Sequence, residues 1–372
     1  MTLRAFALLI AALVSALPFG SYAQDAARPL LAWTVARLPA GFAPSVARIE
    51  GVTRVTVVAS GNLLLAQSFD RAGALVDAPR PGYFIPLEAM AIDAETYPAF
   101  VPEDAAGLLA SLAADEAVLG ETSARLRRLG AGGRFELADG TSLTVRAVVP
   151  DALIGGGELA VVRSSWSRRA VPDERYLLID YEGERARLEA AVRALLPPET
   201  AIRFRTPGET PILRHSDAVL PQARIKERFG EFALHPGPGG GFTRDPEWEA
   251  RNLVTIELPL LGAIHCHRLL VPVLAAAMRE LIARGLGGLI ETKAYRGCDS
   301  ARMIANGSGL SRHAWGAALD LNFHAGPAAT AKARDPRLIE VMDHWGLTSG
   351  HPWLVPDPGH FEYIRPPAAP PP

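Results

Sequence analysis

The sequence predicts an α+β protein. A mixed α/β N-terminal region precedes a C-terminal domain built on a small antiparallel sheet with flanking helices. Three observations carry this reading. Residues 24–100 hold short β-prone runs, among them 52–58 and 63–65, separated by Gly and Pro, the composition of strands and turns. Residues 174–206 read strand, helix, strand: Arg175 to Asp180, Glu184 to Leu196, then Ala201 to Phe204. Near the end, two turn-rich stretches, 310–322 and 357–362, set alternating apolar residues beside histidines and acids, the period of half-buried strands.

At 372 residues the chain has room for two or three domains. Residues 1–23 read as a secretory leader: Arg4, an apolar run from Ala5 to Gly20, and a small-x-small site at Ser21-Tyr22-Ala23. That run is shorter than the roughly 20 residues of a membrane span, so no stable span is expected once the leader is removed. Residues 24–220 form the N-terminal region, 221–365 the C-terminal domain, and 366–372 a disordered Pro-rich tail. Hydrophobic residues are 49% of the chain and charged residues 21%, enough to build a sizeable core. A net charge of −2 gives no reason to expect a nucleic-acid partner.

Within the N-terminal region, 102–129 reads as helix with Gly130 as its stop. Residues 135–145 read as a hairpin turning at Asp139-Gly140. No catalytic constellation stands out before residue 221, and the lone His215 is expected at the surface. A wall-binding, positioning or regulatory role is open. Further on, 236–241 is a Pro/Gly loop with no Lys-Ser/Thr to make it a phosphate cradle. Then come a strand at 253–258, an amphipathic helix at 269–284 ending at Gly285, and a strand at 289–295.

The chemistry concentrates at the end. His313 and Asp320 are seven residues apart, about 10 Å along a helix at 1.5 Å per residue, whereas zinc needs its ligand atoms at roughly 2 Å. On one strand an odd spacing puts them on opposite faces. The chain must therefore turn between them, and Gly316 is the place. After the turn, Asp320 and Asn322 alternate with Leu319, Leu321 and Phe323. In the second stretch Pro358-Gly359 exclude a helix, and a strand starting near His360 puts His360 and Glu362 on one face. Asp357 sits on the preceding turn, free to face a metal-bound water. On spacing alone, a three-ligand metal site and a pair of ordinary histidines remain equally open.

Ser311-Arg312-His313-Ala314-Trp315-Gly316-Ala317-Ala318-Leu319-Asp320 resembles the Ser-x-His-x-x-Gly-x-Ala-x-Asp signature of the VanY-like zinc D-alanyl-D-alanine carboxypeptidases and L-alanyl-D-glutamate peptidases, of the hedgehog/DD-peptidase fold. Asp357-Pro358-Gly359-His360-Phe361-Glu362 is similar to that family's closing motif. The resemblance covers about 224–364. It implies that His313, Asp320 and His360 bind Zn2+ and that Asp357 is the general base for a zinc-bound water attacking the scissile amide. It also implies substrates among peptidoglycan stem peptides with D-amino acids, and a place in the periplasm or cell envelope. A substrate-binding Arg belongs upstream; Arg296 and Arg302 are the candidates, although Tyr295-Arg296-Gly297-Cys298 departs from the usual motif. Ser311 can bond substrate or orient its loop, and Glu362 can orient His360. Trp315, Trp345 and Trp353 belong to core or cleft wall. The alternative is a non-catalytic, zinc-stabilised wall-binding module, which would have no need of Asp357.

Only two cysteines occur, Cys266 and Cys298. His265-Cys266-His267 invites a metal reading, but in an exported chain a lone pair of cysteines is expected to form a disulfide. His265 and His267 are then expected at the surface.

Overall fold

The computed structural model describes residues 29–35, 37–166, 174–238, 241–304, 309–323 and 327–367. The leader and residues 368–372 lie outside the described residues. The N-terminal half runs β1 (Leu30–Thr34), α1 (Phe42–Val46), β2 (Val52–Phe69), β3 (Leu75–Asp77), β4 (Ile85–Ile92), α2 (Glu103–Ala110), β5 (Glu116–Gly120), α3 (Glu121–Arg127), β6 (Arg134–Leu137), β7 (Ser142–Val149), β8 (Leu159–Val162), α4 (Arg163–Trp166), β9 (Glu174–Tyr181), α5 (Arg185–Ala194) and β10 (Ile202–Arg205).

Two units share β2. Strands β10, β1, β9 and β2 lie side by side in that order, all antiparallel. With α1 and α5 they make a βαββαβ unit around Leu30, Ala32, Phe42, Leu177, Leu188 and Val192. Between β2 and β9 the chain builds a second unit. Its strands run β2-β4-β8-β5-β7-β6, and β6 pairs back onto the end of β2 (Phe69 opposite Arg134), closing a ring of six. Leu65, Leu87, Leu119, Phe135, Leu143 and Leu159 cluster in its core.

The separate runs expected at 52–58 and 63–65 are one 18-residue strand. It stays continuous because its partners change along it: β9 up to Ala59, β4 from Ala59 to Leu65, then β6. The helix expected over 102–129 is also corrected, since β5 interrupts it. Ala117, Val118 and Leu119 are fully buried between parallel β7 and antiparallel β8. A short apolar run suits a buried helix or a buried strand equally, and the neighbouring strands decide. The hairpin at 135–145 and the strand-helix-strand at 174–206 form as the sequence predicts.

The C-terminal half contains α6 (Gln222–Phe229), β11 (Leu234–Pro236), β12 (Phe242–Arg244), α7 (Pro246–Asn252), β13 (Leu253–Leu258), β14 (Gly262–His267), α8 (Val271–Ala283), β15 (Ala318–Asp320), α9 (Pro327–Ala333), α10 (Pro336–His344), β16 (Leu347–Gly350) and β17 (Asp357–Tyr363). Its small sheet is antiparallel, ordered β15-β17-β16. Leu319 and Phe361 from the sheet pack with Leu274 and Met278 of α8 and Leu338 and Met342 of α10. The strand expected at 289–295 is instead two short 3-10 turns, Gly287–Leu289 and Thr292–Ala294. Its would-be partner β15 offers only isolated bonds, Arg296 N to Asp320 O and Phe323 N to Ala294 O. The Asn322 side chain meanwhile accepts from Glu291 N and donates to Leu289 O. Cys266 on β14 is disulfide-bonded to Cys298, tying this irregular segment to the β13–β14 hairpin.

The halves meet through charge. Lys226 of α6 is fully buried and lies 2.8 Å from both Glu158 and Glu231. It also donates to Pro86 O at 2.6 Å. Arg127 of α3, equally buried, bonds Glu231 and lies 3.1 Å from Asp77. Burial opposes ionisation of Glu231, but Arg127 and Lys226 outweigh it and hold its pKa below the usual range. Every charge in this cluster has an opposite charge in contact.

Candidate metal centre

The site is assembled by one turn and one strand pair. Ser311 opens a 3-10 turn, Arg312–Trp315, by accepting a hydrogen bond from His313 N at 3.3 Å. Gly316 ends the turn in the left-handed region at φ 61°. A Cβ there would lie 2.7 Å from the His267 backbone nitrogen, so only glycine fits. The reversal sends the chain into β15, where Asp320 stands directly opposite His360 of β17. Seven residues of spacing are thus converted into contact by a turn followed by cross-strand pairing.

Three donor atoms converge. His313 Nε2 lies 3.3 Å from His360 Nδ1 and 3.3 Å from Asp320 Oδ1, and His360 Nδ1 lies 3.1 Å from Asp320 Oδ1. All three residues are buried. Zinc ligands at about 2.0–2.1 Å and tetrahedral angles stand about 3.3–3.4 Å apart, so the triangle has the edge length the ion requires. Two imidazoles and a carboxylate are also the donor chemistry of such sites.

The rear of each imidazole is fixed. His313 Nδ1 lies 3.0 Å from Cys298 O, and a carbonyl can only accept, so Nδ1 carries the proton and Nε2 keeps its lone pair. His360 Nε2 lies 3.2 Å from Glu362 Oε2, which likewise frees Nδ1. Trp353 packs 4.8 Å from the His360 ring. Burial disfavours charge on His360, yet hydrogen bonds to Asp320 and Glu362 prevail and push its pKa up to about 9. Burial also opposes ionisation of Asp320; His313 and His360 reverse this and hold its carboxyl well below the usual range. Both shifts have one cause, carboxylates and imidazoles brought into contact.

Asp357 reaches this face through an irregular strand. β17 begins at Asp357 rather than near His360. Between Ser349 opposite Phe361 and Gly350 opposite Asp357, β16 advances one residue while β17 advances four. Such a bulge re-aims side chains. A Cβ on Gly350 would lie 3.3 Å from both the Asp357 and the His360 Cβ, so these two side chains flank Gly350 together despite their odd spacing.

His360, Asp357 and Glu362 line a cavity of about 400 Å³. Arg302 and Ser311 line it too, whereas Arg296 is exposed and stands outside the lining. The opposite wall comes from the N-terminal half: Trp33, Ser60, Arg214, His215 and Asp217. His215 is therefore no surface residue; it stacks on Tyr176 at 5.1 Å and lies 3.0 Å from Ser60 Oγ. Arg312, inside the motif but not singled out by it, also lines the cavity. Nothing local marks Arg214 or His215; for Arg312 the hint was a charged residue between two that must be buried. His267, expected at the surface, is buried and bonds Phe229 O at 3.0 Å, while His265 is exposed.

Residues 305–363 match the family model of D-alanyl-D-alanine carboxypeptidase. That span includes the three donor residues, Asp357 and Glu362. No curated protein matches the chain in sequence. Among solved structures, the periplasmic region of MacB from Actinobacillus actinomycetemcomitans is similar at 12% identity and a TM-score of 0.34, covering 48% of this chain and 88% of that one. The extracellular domain of the noncanonic ABC-type transporter YknZ from Gram-positive bacteria is similar at 9% identity and a TM-score of 0.33, covering 48% of this chain and 100% of its own. Among the described residues, no helix is long and apolar enough to cross a membrane.

Proposed function

We propose that the chain is an exported zinc metallopeptidase acting on peptidoglycan stem peptides, either a D-Ala-D-Ala carboxypeptidase or an endopeptidase of the L-Ala-D-Glu type. In this reading 221–365 is the catalytic domain. The observation that carries it is the donor triangle, with edges of 3.1–3.3 Å, beside an open cavity. His313 Nε2, Asp320 Oδ1 and His360 Nδ1 would hold Zn2+. The ion supplies Lewis acidity for a carbonyl and lowers the pKa of a water to about 7.

The chain's own residues do the remaining work. Cys298 O and Glu362 keep both imidazole lone pairs turned inward. The Asp357 carboxylate takes the proton of the attacking water and returns it to the nitrogen of the leaving amine. Ser311 acts on the turn that carries His313 rather than on substrate. Arg302 lines the cavity and Arg296 does not, so of these two only Arg302 is placed to meet substrate. The disulfide supports an extracytoplasmic location.

The non-catalytic alternative accounts for the triangle but not for Asp357 and His360 sharing a cavity. Digestion of purified peptidoglycan by full-length protein, with and without chelator, should release stem-peptide products that vanish with the metal and return with added zinc. Zinc-loaded protein that releases no products by mass spectrometry would leave the binding module standing.

A further inference from the structure

Two guanidiniums meet at the cavity from opposite halves of the chain. Arg312 is 6% exposed and Arg214 3%, and both line the cavity with His360. Arg312 donates to Leu220 O, and among the described residues no carboxylate lies within ion-pair distance of it. Its Nε has no hydrogen-bond partner, nor do Nε and Nη1 of Arg214. Arg214 is paired with Glu88, but a buried guanidinium with no carboxylate in contact, as at Arg312, is costly to keep, so its retention points to an anion that arrives from outside.

Three of the acids nearby are engaged through at least one oxygen, while Asp357 lines the same cavity. Glu88 accepts from Arg214 at 2.6 Å and from Gln222 N at 3.1 Å. Asp217 bonds Arg203 and accepts from Leu354 N at 2.8 Å. Glu362 is held by His360. The cavity lining is mixed in sign: Arg175, Arg214, Arg302 and Arg312 share it with Glu88, Asp217, Asp357 and Glu362. Burial, and after it the charges of Arg214, Arg175 and Arg205, holds His215 well below its ordinary pKa.

We propose that Arg312 and Arg214 form a carboxylate subsite shared by the two halves of the chain, so that the N-terminal half belongs to the substrate site. This rests on the peptidase reading above. Stem peptides offer two kinds of carboxylate, the terminal α-carboxylate and the free carboxylate of an internal D-glutamyl residue. Two guanidinium forks suit either one.

The test is equilibrium binding to metal-depleted full-length protein, which needs no turnover. One probe pair is N-acetyl-Lys-D-Ala-D-Ala as free acid and as C-terminal amide. The other is L-Ala-γ-D-Glu-Lys with the glutamyl carboxylate free or amidated. Wild type should favour the acid of one pair by about 10–100-fold, the size of charge-assisted hydrogen bonds, and that pair identifies the carboxylate. Arg312→Gln and Arg214→Gln should bring the ratio toward one. Where circular dichroism shows a Gln variant unfolded, Arg→Lys replaces it and should lower the ratio by losing the fork. No preference in either pair, or a preference unchanged in variants at both positions, overturns the subsite. Zinc-loaded wild type that hydrolyses neither peptide overturns the peptidase reading instead, and the binding ratio is read apart from it.

Discussion

Two buried polar clusters in this protein look alike by composition and differ in balance. Around Lys226 and Arg127 each cation touches Glu158, Glu231 or Asp77; the charges close on themselves. Around His313, Asp320 and His360 three potential donor atoms face one another at 3.1–3.3 Å, an arrangement that could hold a metal ion. The first cluster joins the halves of the chain. The second is poised for a ligand. Burial alone does not separate architecture from chemistry; the sign and number of donors do.

The largest test of that contrast is His313→Ala. It should take zinc from one ion per chain to nearly none and hydrolysis to background, and equal metal in mutant and wild type by elemental analysis would dissolve the distinction. Asp357→Asn should retain zinc and lose about 10²–10⁴-fold in turnover. Normal turnover with full zinc would reduce Asp357 to a strand residue, and lost zinc would make it a ligand. Lys226→Met should do the reverse of His313→Ala. Removing one member of a buried pair costs about 3–5 kcal/mol, read by denaturant unfolding, while zinc per folded chain stays at one. The smallest effect is acid sensitivity. Glu231 is held below its unfolded pKa of about 4.3. Its contribution is therefore complete above that pH and is lost as pH falls through the folded value. Glu231→Gln should be less stable than wild type at pH 7 and lose less between pH 7 and about pH 3; parallel acid limbs would show the ion network idle.

The three candidate donors were named by the motif resemblance, and their local geometry was legible because turn and strand are encoded locally. Gly316 permits the reversal, and the alternation after it puts Asp320 on a strand. The donor triangle needed one non-local fact, the pairing of Asp320 with His360. The strand at Glu116–Gly120 was hidden because only β7 and β8 make it a strand. The failed strand at 289–295 was the converse, a β-prone sequence with no ladder to join. Arg214 and His215 were illegible for a stronger reason. They approach His360 across more than a hundred residues of chain, and no spacing rule reaches that far.

Arg203 donates to Pro352 O at 2.7 Å and Asp217 accepts from Leu354 N. The N-terminal half therefore grips the loop that enters β17 three residues later at Asp357. This grip limits how the candidate metal centre and its cavity can be transplanted. A fragment starting at Gln222 would keep all three candidate donors and most of its own apolar core. It would also strip Lys226 of Glu158 and release the segment that aims Asp357. Such an excised domain would keep the candidate donors with Asp357 released from its setting, and restoring that setting would require residues 203–217 to travel with it.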